Sequence, residues 1–114
     1  MRENKLKDLS IEFALDIVDI AKALFRKEAV MSKQLLRSGT SIGANICEAD
    51  YAQGRLDFVS KLKIALKECH ESEYWLELLY RSEYIDEASY KNLTVKAGTI
   101  RRLLIASCKT AKGE

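Results

Sequence analysis

The sequence predicts an all-α protein with the architecture of an antiparallel up-down four-helix bundle. Proline is absent, hydrophobic residues make up 47% of the 114 residues and charged residues 32%, a composition that suits a helical globular protein and disfavours disorder or a turn-rich β fold. Apolar residues also recur at helical spacing in four successive segments joined by short turns. A chain of this length is expected to form one domain, 1–114, with a thin core.

The first predicted helix covers about residues 9–27, with Asp8 or Ser10 as its N-cap. One apolar stripe consists of Phe13, Ile17, Ile20 and Leu24. A second stripe beside it consists of Ala14, Val18, Ala21 and Phe25. Because the apolar arc is wide, we expect this helix to contact more than one neighbour.

The second predicted helix covers about residues 32–53, with Ser32 as its N-cap and Gly54 as its C-terminal stop. Small residues stand between its isoleucines: Gly39, Ser41, Gly43 and Ala44. They let a neighbouring backbone approach closely, although each glycine costs about 1 kcal/mol of helix propensity. The stretch matches none of GxxxxGK[ST], GxGxxG and GxSxG, and no strand precedes it. We therefore interpret it as a close helix contact and not as a phosphate-binding loop or a catalytic elbow.

The third predicted helix, about residues 56–81, has the strongest periodicity in the chain. Its main stripe consists of Phe58, Leu62, Ala65, Cys69, Ser72, Leu76 and Leu79. The fourth predicted helix covers about residues 86–110, with Asp86 as its N-cap. Its apolar stripe consists of Tyr90, Leu93, Ala97, Ile100, Leu104 and, beyond the predicted end, Ala111.

Carboxylates lie among apolar residues on the second and third helices. An ionised carboxylate in such surroundings requires a partner. Our hypothesis is a structural polar cluster that joins the two helices, with the hydroxyls of Thr40 and Ser41 as further partners. Its members are Arg37, Asn45, Glu48, Glu68 and Glu71.

The net charge of +2 is mild, but residues 88–114 alone carry six cations against one carboxylate. Candidate nucleic-acid or anion contacts on the fourth helix are Arg101, Arg102, Lys109 and Lys112. The alternative is an ordinary solvated helix face. Tyr90 is the one aromatic residue of that helix, so base stacking has little support.

Three cysteines without a CxxC pair are typical of small core residues in a reducing cytosol. The N-terminus has no signal-peptide pattern, and no segment approaches the roughly 18 apolar residues of a membrane span, so we expect a cytoplasmic protein. The single histidine, His70, is expected at the surface. Its isolation disfavours Ser-His-Asp and Cys-His schemes and leaves a di-metal enzyme only as a formal alternative. No catalytic residue, cofactor, metal or small-molecule substrate is predicted.

The helices carry more apolar residues than one bundle can bury, which predicts a homo-oligomer. The surplus includes Phe25, Trp75, Leu78 and Ile105, which we interpret as interface residues. For Trp75 a core position is an equal alternative.

Two segments, residues 35–49 (LLRSGTSIGANICEA) and residues 57–79 (DFVSKLKIALKECHESEYWLELL), closely resemble the 23S rRNA intervening-sequence protein family, the four-helix-bundle protein family. The matching residues are Arg37, Ser41, Ile42, Asn45, Ile46, Glu48, Phe58, Ile64, Ala65, Glu68, Glu71, Trp75 and Leu76. The chain departs from the family pattern at Cys47 and Ala49, where alanine and glycine are common. The resemblance covers about residues 10–108, and the family is similar to the accessory protein of diversity-generating retroelements.

This resemblance implies a ring of five subunits with a central channel. The retroelement accessory proteins are basic pentamers that bind a reverse transcriptase and nucleic acid, although this chain is less basic. The predicted function is therefore a non-enzymatic, homo-oligomeric scaffold or accessory protein that binds RNA or an RNA-associated protein through its basic C-terminal helix. The alternative is a structural or protein-partner subunit that binds no nucleic acid.

Overall fold

The computed structural model describes the backbone of residues 2–113 and the side chains of residues 5–113. The chain forms four helices, α1 (Arg2–Leu24), α2 (Ala29–Ala49), α3 (Arg55–Arg81) and α4 (Glu87–Lys112), and no strand occurs among residues 2–113. Among the described residues, α1 packs beside α2 and α4, and α3 packs beside the same two helices, whereas the backbones of α1 and α3 do not come close to each other. The helices thus form a bundle about 44 Å long in which α1 and α3 lie diagonally opposite, and the predicted all-α four-helix fold is confirmed.

The predicted start of α1 is wrong, because the helix begins at Arg2 and not near residue 9. Leu6 is buried in the core one turn before Ser10, so the apolar stripe begins earlier than predicted. Ser10 is no N-cap: it is fully buried inside the helix, and its hydroxyl donates to the carbonyl of Lys7 at 2.7 Å. Asp8 likewise lies within the helix, which ends at Leu24 and not at residue 27.

The limits of α2 also differ from the prediction. Glu28 is the N-cap, since its carboxylate accepts the amides of Val30 and Met31 at 2.9 and 3.0 Å. Ser32 is buried, and its hydroxyl is 3.4 Å from the carbonyl of Ala21 on α1. The helix ends at Ala49, and Gly54 is the N-cap of α3, with φ of 146°, a backbone conformation that favours glycine.

The cap predicted for α4 is confirmed. The Asp86 carboxylate accepts the amide of Ser89 at 2.8 Å. This hydrogen bond lowers the pKa of Asp86, because it stabilises the ionised form. The preceding turn is held by the rings of Tyr80 and Tyr90, which stack with centroids 4.3 Å apart.

Close contact between α1 and α2 occurs where the small residues were predicted to allow it. A Cβ atom added at Gly39 would lie 3.0 Å from both γ carbons of Ile17, and one at Gly43 would lie 3.2 Å from the Ser10 hydroxyl. Ile17 is fully buried. The interpretation of the glycine stretch as a close helix contact is therefore confirmed.

Candidate functional site

The structure brings three of the five predicted polar residues together at the joint between α2 and α3. Arg37 Nη1 donates to Glu68 Oε2 at 3.1 Å, and Arg37 Nη2 pairs with Glu71 Oε2. Trp75 Nε1 donates to the same Glu71 oxygen at 2.9 Å, and Gln34 Oε1 accepts from Arg37 Nε at 3.1 Å. One guanidinium thus binds two carboxylates of α3 and ties them to α2. We call Arg37, Glu68 and Glu71 the arginine triad.

Asn45 and Glu48 do not join the arginine triad, contrary to the hypothesis of one five-residue cluster. They lie 8 and 11 residues beyond Arg37 on α2, about 12 and 16 Å along the helix axis. Asn45 donates to the carbonyl of Ser41 at 2.9 Å, within α2. Glu48 pairs instead with Lys61 of α3 at 3.1 Å.

The hydroxyls that were expected to serve the carboxylates also bond elsewhere. Thr40 donates to the carbonyl of Leu36, and Ser41 to the carbonyl of Arg37, each at 2.7 Å. A separate bond, which sequence reasoning missed, joins the two helices beside the triad: Ser72 Oγ donates to Ser38 Oγ at 3.0 Å, and both serines are fully buried. The signal available in the sequence was the position of Ser72 in the core stripe of α3.

The basic residues predicted on α4 fall into two groups. Arg101 is half-buried, and its Nε lies 3.3 Å from Glu73 Oε1, so it forms an ion pair between α3 and α4. Arg102 is exposed, and its Nη2 donates to the nearby Thr99 hydroxyl at 3.4 Å. Lys109 and Lys112 are exposed, and no ion pair among the described residues involves either of them. Three of the four predicted contacts are thus accessible to an anion.

Beside them, α3 and α4 border an open groove of about 760 Å³ that the sequence did not reveal. We call it the basic groove. Its cationic side chains are Arg55, Lys63, Lys67 and Lys112. Its apolar side chains are Leu56, Val59, Ile64 and Ala111. No carboxylate lines the groove among the described residues. Arg55 closes one end, where its Nη1 reaches the carbonyl of Ala111 at 3.5 Å.

Of the residues predicted for an oligomer interface, Trp75 and Leu78 lie on α3, Ile105 lies on α4, and Phe25 lies in the turn after α1. Phe25 and Ile105 are exposed, whereas Trp75 and Leu78 are half-buried. Trp75 packs against the core, and the rings of Trp75 and Tyr74 form a T-shaped pair with centroids 5.2 Å apart. On α3 the outward group is therefore Tyr74, Trp75 and Leu78, which we call the α3 face.

A longer apolar stripe, of which only Phe25 was predicted as an interface residue, runs along the outer side of α1 and into the turn after it. We call it the α1 stripe, and its members are Ile11, Leu15, Val18 and Phe25. Ile11, Leu15 and Phe25 are 48, 61 and 69% exposed. The spacing of four and three residues places Ile11, Leu15 and Val18 on one side of the helix, and Phe25 follows in the turn directly after Leu24.

The cysteines only partly match the prediction. Cys69 and Cys108 are buried core residues, but Cys47 is exposed on α2, so its predicted core position is wrong. Burial raises the pKa of the Cys69 thiol to about 12, and the thiol lies 3.4 Å from the carbonyl of Ala97. His70 is exposed, as predicted, with Nδ1 3.7 Å from Glu73 Oε1.

Two further findings concern metal binding and membrane-spanning helices. Among the residues with described side chains, no three histidine, cysteine, aspartate or glutamate residues converge to hold a metal ion. Over residues 2–113, no helix combines the length and apolar character that a membrane crossing needs.

The fold and these surfaces define a four-helix-bundle protein whose distinctive features are cross-helix ion pairs and outward apolar faces. Residues 2–106 match the model of the 23S rRNA-intervening sequence protein family, and the chain belongs to that family. It is also similar to a crystal structure of a protein of unknown function from the S23 ribosomal protein family of Bacteroides thetaiotaomicron. The two share 56% identity with a TM-score of 0.93, over 96% of this chain and 99% of the other. No curated protein matches the chain.

Proposed function

We propose that the protein is a non-enzymatic scaffold that works in the cytoplasm as a homo-oligomer. The observation that carries the proposal is the α1 stripe. Its three large side chains, Ile11 and Leu15 on α1 and Phe25 just after its end, are each about half or more exposed, and exposed apolar groups of this kind mark protein interfaces. Association with another copy would remove this surface from water.

The position of a second apolar surface favours a ring. The α3 face lies on the helix diagonally opposite α1, because the backbones of α1 and α3 do not approach each other among the described residues. Two different surfaces on opposite sides suit head-to-tail association, in which the α1 stripe of one copy meets the α3 face of the next, and such a chain closes into a ring when the rotation permits. The pentamer implied by the family resemblance is one closed form of this arrangement.

Light scattering on a sizing column tests self-association. A chain of 12.9 kDa should elute as a multiple of that mass, about 65 kDa for five copies. Leu15→Glu with Phe25→Glu should give monomers, and so should Tyr74→Lys with Leu78→Lys, because each pair places charges in one of the two surfaces. Val95→Glu, which changes an exposed valine outside both surfaces, should leave the mass unchanged.

Mixing the two double variants tests the head-to-tail geometry. Each retains one intact surface, so the mixture should form a complex of two chains although neither variant associates alone. A monomeric native chain at micromolar concentration would refute the scaffold proposal. Dimers formed by either double variant alone would instead indicate contacts between identical surfaces.

RNA binding by the scaffold is a second candidate function, favoured by the exposed cations of α4. Arg102, Lys109 and Lys112 can contact phosphates, and such contacts weaken with salt because they release counterions. Arg102→Glu with Lys109→Glu should reduce the slope of log affinity against log salt by about 1.4 for single-stranded RNA. An unchanged slope would exclude these two residues as phosphate contacts.

A further inference from the structure

The two turns at one end of the bundle carry opposite charges. Residues 22–33, which join α1 to α2, hold four cations against one carboxylate, a net charge of +3. We call this segment the basic turn, and its cations are Lys22, Arg26, Lys27 and Lys33. Residues 77–87, which join α3 to α4, hold four carboxylates against one cation, a net charge of −3. We call this segment the acidic turn, and its carboxylates are Glu77, Glu83, Asp86 and Glu87.

Both turns lie at the same end of the molecule but on opposite sides of it. Arg37 of α2 pairs with Glu71 of α3, and farther along α2 the pairing continues backwards along α3, from Glu48 to Lys61. The two helices are therefore antiparallel, and the start of α2 lies beside the end of α3. Since α1 and α3 are diagonally opposite, the pair α1–α2 and the pair α3–α4 form opposite edges of a bundle that measures 21 by 19 Å across. That width exceeds the Debye length of about 8 Å at physiological salt, so the two turns do not neutralise each other within one copy.

The charges of the basic turn are not used inside the molecule. All four cations are exposed, and within the described part of the chain no ion pair involves any of them. In the acidic turn, Glu77 pairs with Arg81 at 3.2 Å and Glu87 pairs with Lys91 at 3.5 Å. Exposed pairs of this kind contribute little to stability, so these carboxylates can exchange their partners for cations of another molecule.

Each turn also exposes apolar side chains among its charges. Phe25 and Val30 of the basic turn are 69 and 72% exposed, and Tyr84 of the acidic turn is 38% exposed. Phe25 belongs to the α1 stripe, and Leu78 of the α3 face lies within the acidic turn. The turns thus continue the two surfaces that self-association would bring together, with charged groups around an apolar centre as in a protein interface.

We propose that the basic turn of one copy binds the acidic turn of the next copy, and that this pairing of opposite charges sets the direction of assembly. The inference rests on the proposed self-association and names the contact that makes it head-to-tail. Contact between identical turns would place like charges together, which costs affinity. Because both turns lie at the same end of the bundle, the contact holds neighbouring copies parallel. RNA would occupy the basic turn alone and leave the matching charge of the acidic turn without a role.

An exchange of charges between the turns tests the proposal. Lys27→Glu with Lys33→Glu changes the basic turn from +3 to −1, and Glu77→Lys with Glu83→Lys changes the acidic turn from −3 to +1. Each double variant opposes like charges, and its Kd for assembly in sedimentation equilibrium should rise at least about tenfold. The variant with all four exchanges has the composition and net charge of the native chain and faces opposite charges again. Its Kd should return to within about fivefold of the native value.

Salt and a matched variant separate the contact from general charge. Assembly of the native chain should weaken about tenfold between 50 and 500 mM NaCl, because exposed charges are screened. Lys109→Glu with Lys112→Glu makes the same change of charge on exposed residues at the other end of the bundle and should alter the Kd by less than about threefold. All the exchanged residues are exposed, so circular dichroism should show native helix content in every variant.

Three outcomes would overturn the proposal: native affinity in either double variant, a four-exchange variant as weak as the double variants, or an equal loss in the Lys109, Lys112 control. A Lys27, Lys33 variant that assembles normally but no longer binds a 12-nucleotide oligouridine would assign the basic turn to RNA. A native chain that stays monomeric would refute the scaffold proposal and this contact with it. Self-association that is insensitive to the exchanges would refute this contact alone.

Discussion

Replacement of Gly39 by alanine would test how much the close approach of α1 and α2 matters. The added Cβ atom would meet Cγ1 and Cγ2 of Ile17 at 3.0 Å and its Cβ atom at 3.4 Å. These atoms lie next to the backbone in a branched, fully buried side chain, and not at the end of a flexible one. Ile17 therefore cannot turn away, and the two helices have to separate by a few tenths of an ångström.

The expected cost follows from two opposing effects. Overpacking a buried contact costs about 1–3 kcal/mol, and such a short contact with two γ carbons belongs in the upper half of that range. Alanine in place of glycine within a helix stabilises by about 1 kcal/mol. We expect Gly39→Ala to lower the free energy of unfolding by about 1–2 kcal/mol, the difference between the two.

Gly98 of α4 provides the matched control. A Cβ atom there would meet only the guanidinium nitrogens of Arg101 and Arg102 at 3.5 Å, an ordinary contact with flexible ends. Gly98→Ala should therefore raise the free energy of unfolding by roughly 0.5–1 kcal/mol. Both variants change the same group in the middle of a helix, so the difference between them isolates the contact with Ile17.

Urea unfolding at one fixed protein concentration measures both effects. Gly39→Ala should lower the midpoint and Gly98→Ala should raise it, with m unchanged. Ile17→Ala removes the clashing γ carbons, so in the Gly39, Ile17 double variant the cost of the added methyl should vanish and leave a coupling energy of about 2–3 kcal/mol. If Gly39→Ala stabilises as much as Gly98→Ala, the close-contact reasoning is wrong.

Three further outcomes are expected. Arg37→Met leaves two partly buried carboxylates without their cation and should lower the free energy of unfolding by about 1–2 kcal/mol. The control Arg81→Met breaks an exposed pair with Glu77 and should lower it by less than about 0.5 kcal/mol, so equal losses would contradict a special role for the arginine triad. Iodoacetamide at pH 8 should label Cys47 in the native protein but Cys69, with a pKa of about 12, only after unfolding, and mass spectrometry of digests would reveal early labelling of Cys69. A hydrogen bond to Asp16 raises the pKa of Lys96 above its ordinary 10.5, so the stabilisation by this ammonium group is present below the unfolded-state pKa and is lost as pH rises through the higher folded value. As pH rises above 10.5, the unfolding free energy of Lys96→Met should therefore fall less than that of the native protein, and parallel curves would refute this.

The fold could be predicted from the sequence because apolar spacing alone defines the helices. Errors arose where polar residues occupy core positions. Ser10 and Ser32 were interpreted as N-caps, since serine favours caps, but both are buried and bond to backbone carbonyls. The better signal was Leu6, which continues the stripe of α1 toward the N-terminus. The Glu28 cap was missed because glutamate is an unusual residue at that position.

The candidate site was less predictable, because it depends on how the helices are rotated against each other. Residue type and spacing indicated that Glu68 and Glu71 need a cation, and Arg37 lies beside them in the structure. The same reasoning grouped Glu48 with them, since sequence spacing does not show that Lys61 stands opposite Glu48 across the helix pair. The basic groove could not be found in the sequence, because its cations come from segments more than forty residues apart.

The bond between Trp75 and the arginine triad has a practical consequence. Trp75 is the one tryptophan of the chain, and its indole nitrogen is bound to Glu71. Indole emission responds to hydrogen bonding and to local polarity. The wavelength and intensity of the intrinsic fluorescence therefore report on the interface between α2 and α3. The molecule thus contains its own optical probe at the place where a single guanidinium holds two helices together.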